Sequence, residues 1–213
     1  MKSVYADEKI CCGCGACSSA CPSGAIAMRT DERGVAYPSI DHEKCTDSTC
    51  RNCAAVCPMR MEKPLHAVSD PVLVDSPAEN ALAAISDAMP AMGGETHASY
   101  GEAIRALREG RSVLFVGTPC KTAGMRGLMK RKVYPQNLYT CDTACPGHHA
   151  ASRPSCRTCP FTDGRRASDI AVEDHDAQGA SLILVNSAKG QALFEAAKAD
   201  LAPYRRPAEE LSA

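Results

Sequence analysis

Tryptophan is absent from this 213-residue chain, which has only three phenylalanines and six tyrosines. That excludes a core built on large aromatic anchors. The apolar content comes largely from alanine, and so thin a core gains most from links that tie distant loops together. No stretch approaches the roughly 18 apolar residues of a membrane helix, so no span is expected. Neither sign of charge dominates: 24 Lys and Arg stand against 25 Asp and Glu. This balance excludes the strong basic footprint of a nucleic-acid binder or an anionic membrane surface. The short basic clusters Lys130-Arg131-Lys132, Arg165-Arg166 and Arg205-Arg206 read as solvated surface, with a docking patch for an acidic partner as the functional alternative. Residues 1–10 carry Lys2, Asp7, Glu8 and Lys9 and no apolar run. No signal peptide is expected, and the expected compartment is a reducing cytoplasm. No Ser–His–Asp set, acid/base carboxylate pair or phosphate loop emerges, so no catalytic residue is assigned.

Cysteine is what the chain has in abundance. Nine of its fourteen cysteines lie between Cys11 and Pro58. Cys11, Cys14, Cys17 and Cys21 follow C-x2-C-x2-C-x3-C, closed by Pro22. Cys45, Cys50, Cys53 and Cys57 repeat the pattern with a wider first gap, closed by Pro58. The last three cysteines of the two runs are offset by the same 36 positions. Such a doubled spacing is the ligand set of two iron–sulfur clusters. Three closely spaced thiolates can wrap one face of a cubane in a tight turn. Gly13 and Gly15 suit that turn because glycine accepts positive φ and brings backbone N–H groups close.

In two-cluster ferredoxins the fourth cysteine of each run ligates the other cluster. The expected sets are therefore Cys11, Cys14, Cys17 and Cys57 for one 4Fe–4S cluster, and Cys45, Cys50, Cys53 and Cys21 for the second. A single zinc ion takes four ligands and leaves half of these thiols unexplained. Disulfides would need an oxidising compartment, for which nothing at the N-terminus argues. Cys12, adjacent to a ligand, reads as a packed or spare thiol.

The expected fold class is α+β: a bacterial-type 2×(4Fe–4S) ferredoxin domain over residues 1–62, a linker over 63–98, and a small α/β domain over 99–213. In the first part, Ala25–Met28 and Val35–Tyr37 flank a polar turn and read as a β-hairpin with Gly34 in the turn. Short helices are expected after Cys14 and Cys50. Ala81–Ala88 reads as a short helix stopped by Pro90. Beyond Ser99, a helix over Gly101–Glu109 precedes the buried strand Ser112–Val116 and a helical segment reaching about Arg131. Further strands are expected at Leu138–Cys141, Asp169–Val172 and Ser181–Val185, with a closing helix over Ala188–Leu201. Helices alternating with buried strands make an α/β layer.

Several segments carry a family resemblance. Val113-Leu114-Phe115-Val116-Gly117-Thr118-Pro119-Cys120-Lys121 resembles the VLFSGTPCQ element of the coenzyme F420 hydrogenase/dehydrogenase beta-subunit family. Asp142-Thr143-Ala144-Cys145-Pro146-Gly147 resembles its DLICHG, and Cys156-Arg157-Thr158-Cys159-Pro160-Phe161 its C-x2-C-P-F. Asp169-Ile170, then Gly179–Asn186 with Lys189-Gly190, are similar to its C-terminal motif. The opening Cys11–Cys17 matches the CCGCGAC with which members often begin a two-cluster domain.

The resemblance implies electron passage between iron–sulfur clusters, a flavin (FAD or FMN) and often coenzyme F420. It implies a third 4Fe–4S cluster on Cys120, Cys145, Cys156 and Cys159. The strand-to-helix turn at Gly117, Thr118 and Pro119 is expected to offer N–H groups to one cofactor phosphate but little cover for a ring. The residues alone leave other readings of Cys156 and Cys159 open: zinc with Cys145 and His148 or His149, or a redox disulfide. The chain also departs from the family. Its Ser-rich loop has no counterpart between Pro58 and Ser99, and Glu95-Thr96-His97-Ala98-Ser99 stand in place of KYVQS. Only ten residues separate Cys145 from Cys156, where members carry a long block. Flavin is accordingly expected to bind weakly or with a partner chain. Two functions follow: an oxidoreductase working with a flavin- or F420-type acceptor, or a non-enzymatic subunit relaying single electrons between redox partner proteins.

Overall fold

The computed structural model describes residues 10–32, 34–46, 50–60, 71–129, 136–145, 153–161, 167–176 and 179–201. These fall into two compact units, each gathered from separated stretches of chain. The first draws on Met1–Pro64, Pro119–Pro135 and Cys145–Ala167; the second on Leu65–Thr118, Gln136–Ala144 and Ser168–Ala213. Among the described residues, no helix is long and apolar enough to cross a membrane.

The second unit is built on a six-stranded mixed sheet. Its strands are β3 (Val72–Val74), β4 (Gly94–His97), β5 (Ser112–Gly117), β6 (Leu138–Asp142), β7 (Ile170–Asp174) and β8 (Ser181–Val185). Their order across the sheet is β3-β8-β7-β6-β5-β4. From β4 to β7 the neighbours run parallel, while β8 is antiparallel to both β7 and β3. Helices α3 (Ala78–Ala91), α4 (Tyr100–Arg108) and α6 (Ala188–Ala197) complete this unit. Val113, Leu114 and Phe115 are all fully buried, because β5 is covered on both faces. Leu114 joins Ile85 and Met89 of α3 and Leu193 of α6 in the main core, with Cys141, Ile170 and Ile183. Phe115 instead stacks on Tyr100 at the start of α4, with ring centroids 5.1 Å apart.

Within the expected linker, the described residues 71–98 supply β3 and β4 to this sheet and α3 to the unit; residues 63–70 lie outside the described residues. The signals were weak for physical reasons. β3 has three residues, and β4 reads Gly-Glu-Thr-His, with every position only half-buried. Helix α3 also runs past Pro90, which was expected to stop it. Proline has no N–H to give the Ser86 carbonyl four residues back. The Thr96 hydroxyl donates to that carbonyl instead, at 3.3 Å. The closing helix ends at Ala197 rather than Leu201, although Leu201 is still buried in the core.

Asp169 explains why the C-terminal motif has its residues. Its carboxylate accepts from the Thr140 N–H at 2.9 Å, from the Thr140 hydroxyl at 2.8 Å and from the Ser187 hydroxyl at 2.6 Å. Ser187 in turn caps α6 by accepting from the Gly190 N–H. One buried acid thus joins β6, the entry to β7 and the start of α6. Gly190 packs so tightly on the Asp169 carbonyl that a Cβ there would overlap it. Gly190→Ala is expected to cost about 1–3 kcal/mol, as overpacking does. A circular-dichroism melt of the anaerobic protein should show the lower midpoint; an unchanged one means that α6 can move aside.

The first unit contains a two-stranded antiparallel hairpin of β1 (Ile26–Thr30) and β2 (Ala36–Ile40), in which Ile26 pairs with Ile40 and Thr30 with Ala36. Its turn is held by Asp31, whose carboxylate accepts from the Val35 N–H at 2.8 Å. Short helices α1 (Ala16–Ala20) and α2 (Asn52–Ala55) follow the two close cysteine turns and touch each other. Helix α5 (Pro119–Met129) packs on α1 and on the 3-10 turn Pro58–Arg60. Gly127 permits this contact, because a Cβ there would lie 2.7 Å from the Val56 carbonyl oxygen.

Candidate metal centre

Every cysteine except Cys141 belongs to the first unit. Cys141 is buried in the core of the second, where burial and the neighbouring Asp142 and Asp169 push its thiol well above the ordinary range. No disulfide joins any of the fourteen.

Gly13 and Gly15 adopt φ of 68° and 81°, the left-handed conformation that the first cysteine turn demands. The Gly13 N–H points at the Cys11 sulfur, 3.4 Å away. Cys17 then sits in α1, and the Cys21 N–H closes that helix on the Ser18 carbonyl. Cys11, Cys17 and Cys57 lie within electrostatic reach of one another. The Cys17 thiol is pushed up to about 12, by burial first and then by Cys11, Cys57 and Cys53, against the Ser18 N–H. Cys57 is raised by burial and by Cys11, against the Met59 N–H and the charge of Arg60. Buried sulfurs crowded together favour the neutral thiol, and a metal reverses that preference because only thiolates ligate.

In the second run Cys45 follows a turn in which the Asp41 carbonyl accepts from its N–H at 3.0 Å. Cys53 lies in α2 and Cys50 just before it. Residues 47–49, within the wide first gap of this run, lie outside the described residues. Cys21 is partly exposed. What burial it has is outweighed by the Ser23 hydroxyl and the N–H groups of Ala25, Ser23 and Ile26, which lower its thiol.

The C-terminal cysteines gather in the same unit. Cys156 lies in the turn Pro154–Thr158, and the Cys159 N–H donates back to its carbonyl at 3.4 Å. The Cys159 thiol is raised first by burial, against the Phe161 N–H, and further by Cys120, Cys156 and Cys145 around it. Ala123, Phe161 and Ala167 pack as an apolar cover on Cys120 and Cys159. An apolar cover with one N–H aimed at a sulfur is the kind of surrounding that tunes an iron–sulfur site. His148 and His149, the other candidate zinc ligands, lie outside the described residues.

Cys12 has a definite place. A hydrogen bond with Cys120 favours its thiolate, but a second with Cys14, together with burial, raises the thiol well above the ordinary range. The Cys12 carbonyl also lies 4.0 Å from the Cys120 sulfur. The first cysteine turn therefore touches the C-terminal group directly. Nothing in the spacing of either motif signals this.

Among the described residues, no three His, Cys, Asp or Glu side chains converge as they would on one metal ion. A cubane holds its thiolates around a whole cluster of irons and sulfides, so its ligands are set wider apart. The donor chemistry fits such clusters: grouped thiols, backbone N–H groups at their sulfurs and left-handed glycines in the ligand turn.

Gly117, Thr118 and Pro119 form the turn from β5 into α5. The Gly117 carbonyl is occupied by the Thr143 N–H at 2.9 Å. One cleft of the second unit is lined by other residues. That cleft, of about 430 Å³, is bounded by Pro77, Ala78, Glu79 and Leu82 and by Thr143, Ala144, Val172 and Asp174. It opens beyond the carboxyl ends of β6 and β7, the usual ligand position of an open α/β sheet. Sequence reasoning missed it because one wall is α3, within the expected linker.

The fold and the grouped thiols define an iron–sulfur protein of the electron-transferring, oxidoreductase type. Residues 10–61 match the 4Fe-4S dicluster domain, and residues 147–209 match the C terminus of the coenzyme F420 hydrogenase/dehydrogenase beta subunit. A ferredoxin-like protein in the nif region of Rhizobium leguminosarum bv. trifolii is 47% identical over 49 residues, which are 23% of this chain and 75% of that protein. A ferredoxin of Pyrobaculum islandicum is 42% identical over 57 residues, 27% of this chain and 48% of its own. The chain belongs to the 4Fe–4S dicluster ferredoxins through its N-terminal part, and its C-terminal part matches the C terminus of the F420 beta subunit.

Proposed function

We propose that the chain carries electrons between the dicluster centre and a flavin- or F420-type acceptor through a third 4Fe–4S site. A 4Fe–4S cluster supplies one-electron transfer when bound, and a flavin converts between single electrons and a hydride. Cys11, Cys14, Cys17 and Cys57 would hold one cluster, and Cys45, Cys50, Cys53 and Cys21 the second. Cys120, Cys145, Cys156 and Cys159 would hold the third. The observation that carries this reading is the neighbourhood of Cys159, which brings Cys120 and Cys145 close to the Cys156–Cys159 turn. Phe161 and Ala123 pack against two of these cysteines, Cys120 and Cys159.

The acceptor is the finer part of the reading. The strand-to-helix turn at Gly117, Thr118 and Pro119 would offer N–H groups to one of its phosphates, while the cleft beside Thr143 could receive a ring. A second reading, a relay between partner proteins without a flavin of its own, is favoured by the missing Ser-rich loop and by the short stretch between Cys145 and Cys156. Reconstitution with excess FAD or FMN, followed by desalting, decides between them. The expected result is well under one flavin per chain, with retention restored by a partner chain. Stoichiometric retention by the isolated chain would make it a flavoenzyme in its own right.

A further inference from the structure

Arg153 belongs to neither cysteine motif, yet its guanidinium is fixed against the first of them. Its Nη1 donates to the Ala36 carbonyl at 2.7 Å. The group lies 5.2 Å from the centre of the Tyr37 ring. It also occupies the space beside Gly13 that any Cβ at that position would need. Two residues on, Ser155 is buried and its hydroxyl donates to the Cys11 carbonyl at 2.8 Å. The start of the Arg153–Cys159 segment thus grips the Cys11–Gly13 turn from outside.

We propose that Arg153 is a positioning residue that raises the reduction potential of the centre on Cys11, Cys14, Cys17 and Cys57. The proposal rests on the ligand assignment given above. Reduction adds one negative charge to that centre, and a nearby cation stabilises the product. Guanidinium suits the task because it stays charged at every working pH and stacks on an aromatic face. Arg60, beside Cys57, adds a second positive charge, so removal of Arg153 shifts the potential without leaving the centre bare of cations. Gly13 then has two roles: it permits the left-handed turn, and it leaves room for the guanidinium.

The experiment is an anaerobic redox titration of the full-length protein followed by electron paramagnetic resonance. Cys17→Ala identifies the signal of this centre, and Arg153→Gln, Arg153→Met and Arg153→Lys test the charge. Both neutral variants are expected to move that one signal to lower potential and leave the others in place, with the Lys variant staying closer to wild type. Two neutral replacements of different polarity guard against one that fails to load iron. If Cys17→Ala removes no signal, the ligand assignment fails and takes the proposal with it. If the signal is identified but stays put in the neutral variants, or falls as far with lysine, Arg153 does not act through its charge.

Discussion

Cys57→Ala is expected to abolish the centre bound by the first cysteine run, although Cys57 belongs to the second run in sequence. Cys57 lies within electrostatic reach of Cys11 and Cys17, and in the crossed assignment it would be their fourth ligand. Loss of one thiolate from a cubane removes or degrades the cluster, so iron should fall by about four atoms per chain. The signal lost should be the one that Cys17→Ala also removes. Stability should fall as well, because the crossed ligands tie the two halves of the repeat together. If Cys57→Ala spares that signal and removes the one that depends on Cys50, the ligands are not crossed.

The second large effect concerns the C-terminal group. Replacing both Cys156 and Cys159 by alanine should lower iron by about four atoms and leave both dicluster signals in place. The two cysteines share one tight turn under Phe161, so a single centre should be lost cleanly. Truncating the N-terminal part would be a poor substitute for this test. Cys120, Cys145, Cys156 and Cys159 sit in the same compact unit as residues 1–64, and removing most of that unit would unfold the remainder. A double variant with full iron, or with zinc in place of the missing iron, would show that this turn does not hold a cluster.

The cysteine turns were legible because their determinants are local. Three thiols within seven positions, with glycines between them, can form only a few turns, and Gly13 and Gly15 take the expected positive φ. The hairpin was legible for the same reason, Asp31 and Gly34 fixing its turn. The strand Ser112–Val116 was legible through its unbroken apolar run, and burial on both faces explains that run. Residues 63–98 were not legible. Gly94–His97 becomes a strand only by pairing in parallel with β5, a partner beyond α4 in the chain. Parallel pairing is non-local, and a polar edge strand leaves no period to read. The weaving of the chain between two units was hidden likewise, since nothing near Thr118 or Ala144 announces that it leaves one unit for the other. Arg153 and Ser155 were missed because their contacts span 117 and 144 residues of sequence.

The most direct test of the account is a count of iron, acid-labile sulfide and zinc in the anaerobically purified full-length chain. Three cubanes predict about 12 irons and about 12 sulfides per chain, with no zinc. A plateau at about 8 of each, with one zinc ion or none, would confine the clusters to the first 60 or so residues. The third centre, and the route to an acceptor built on it, would then be wrong.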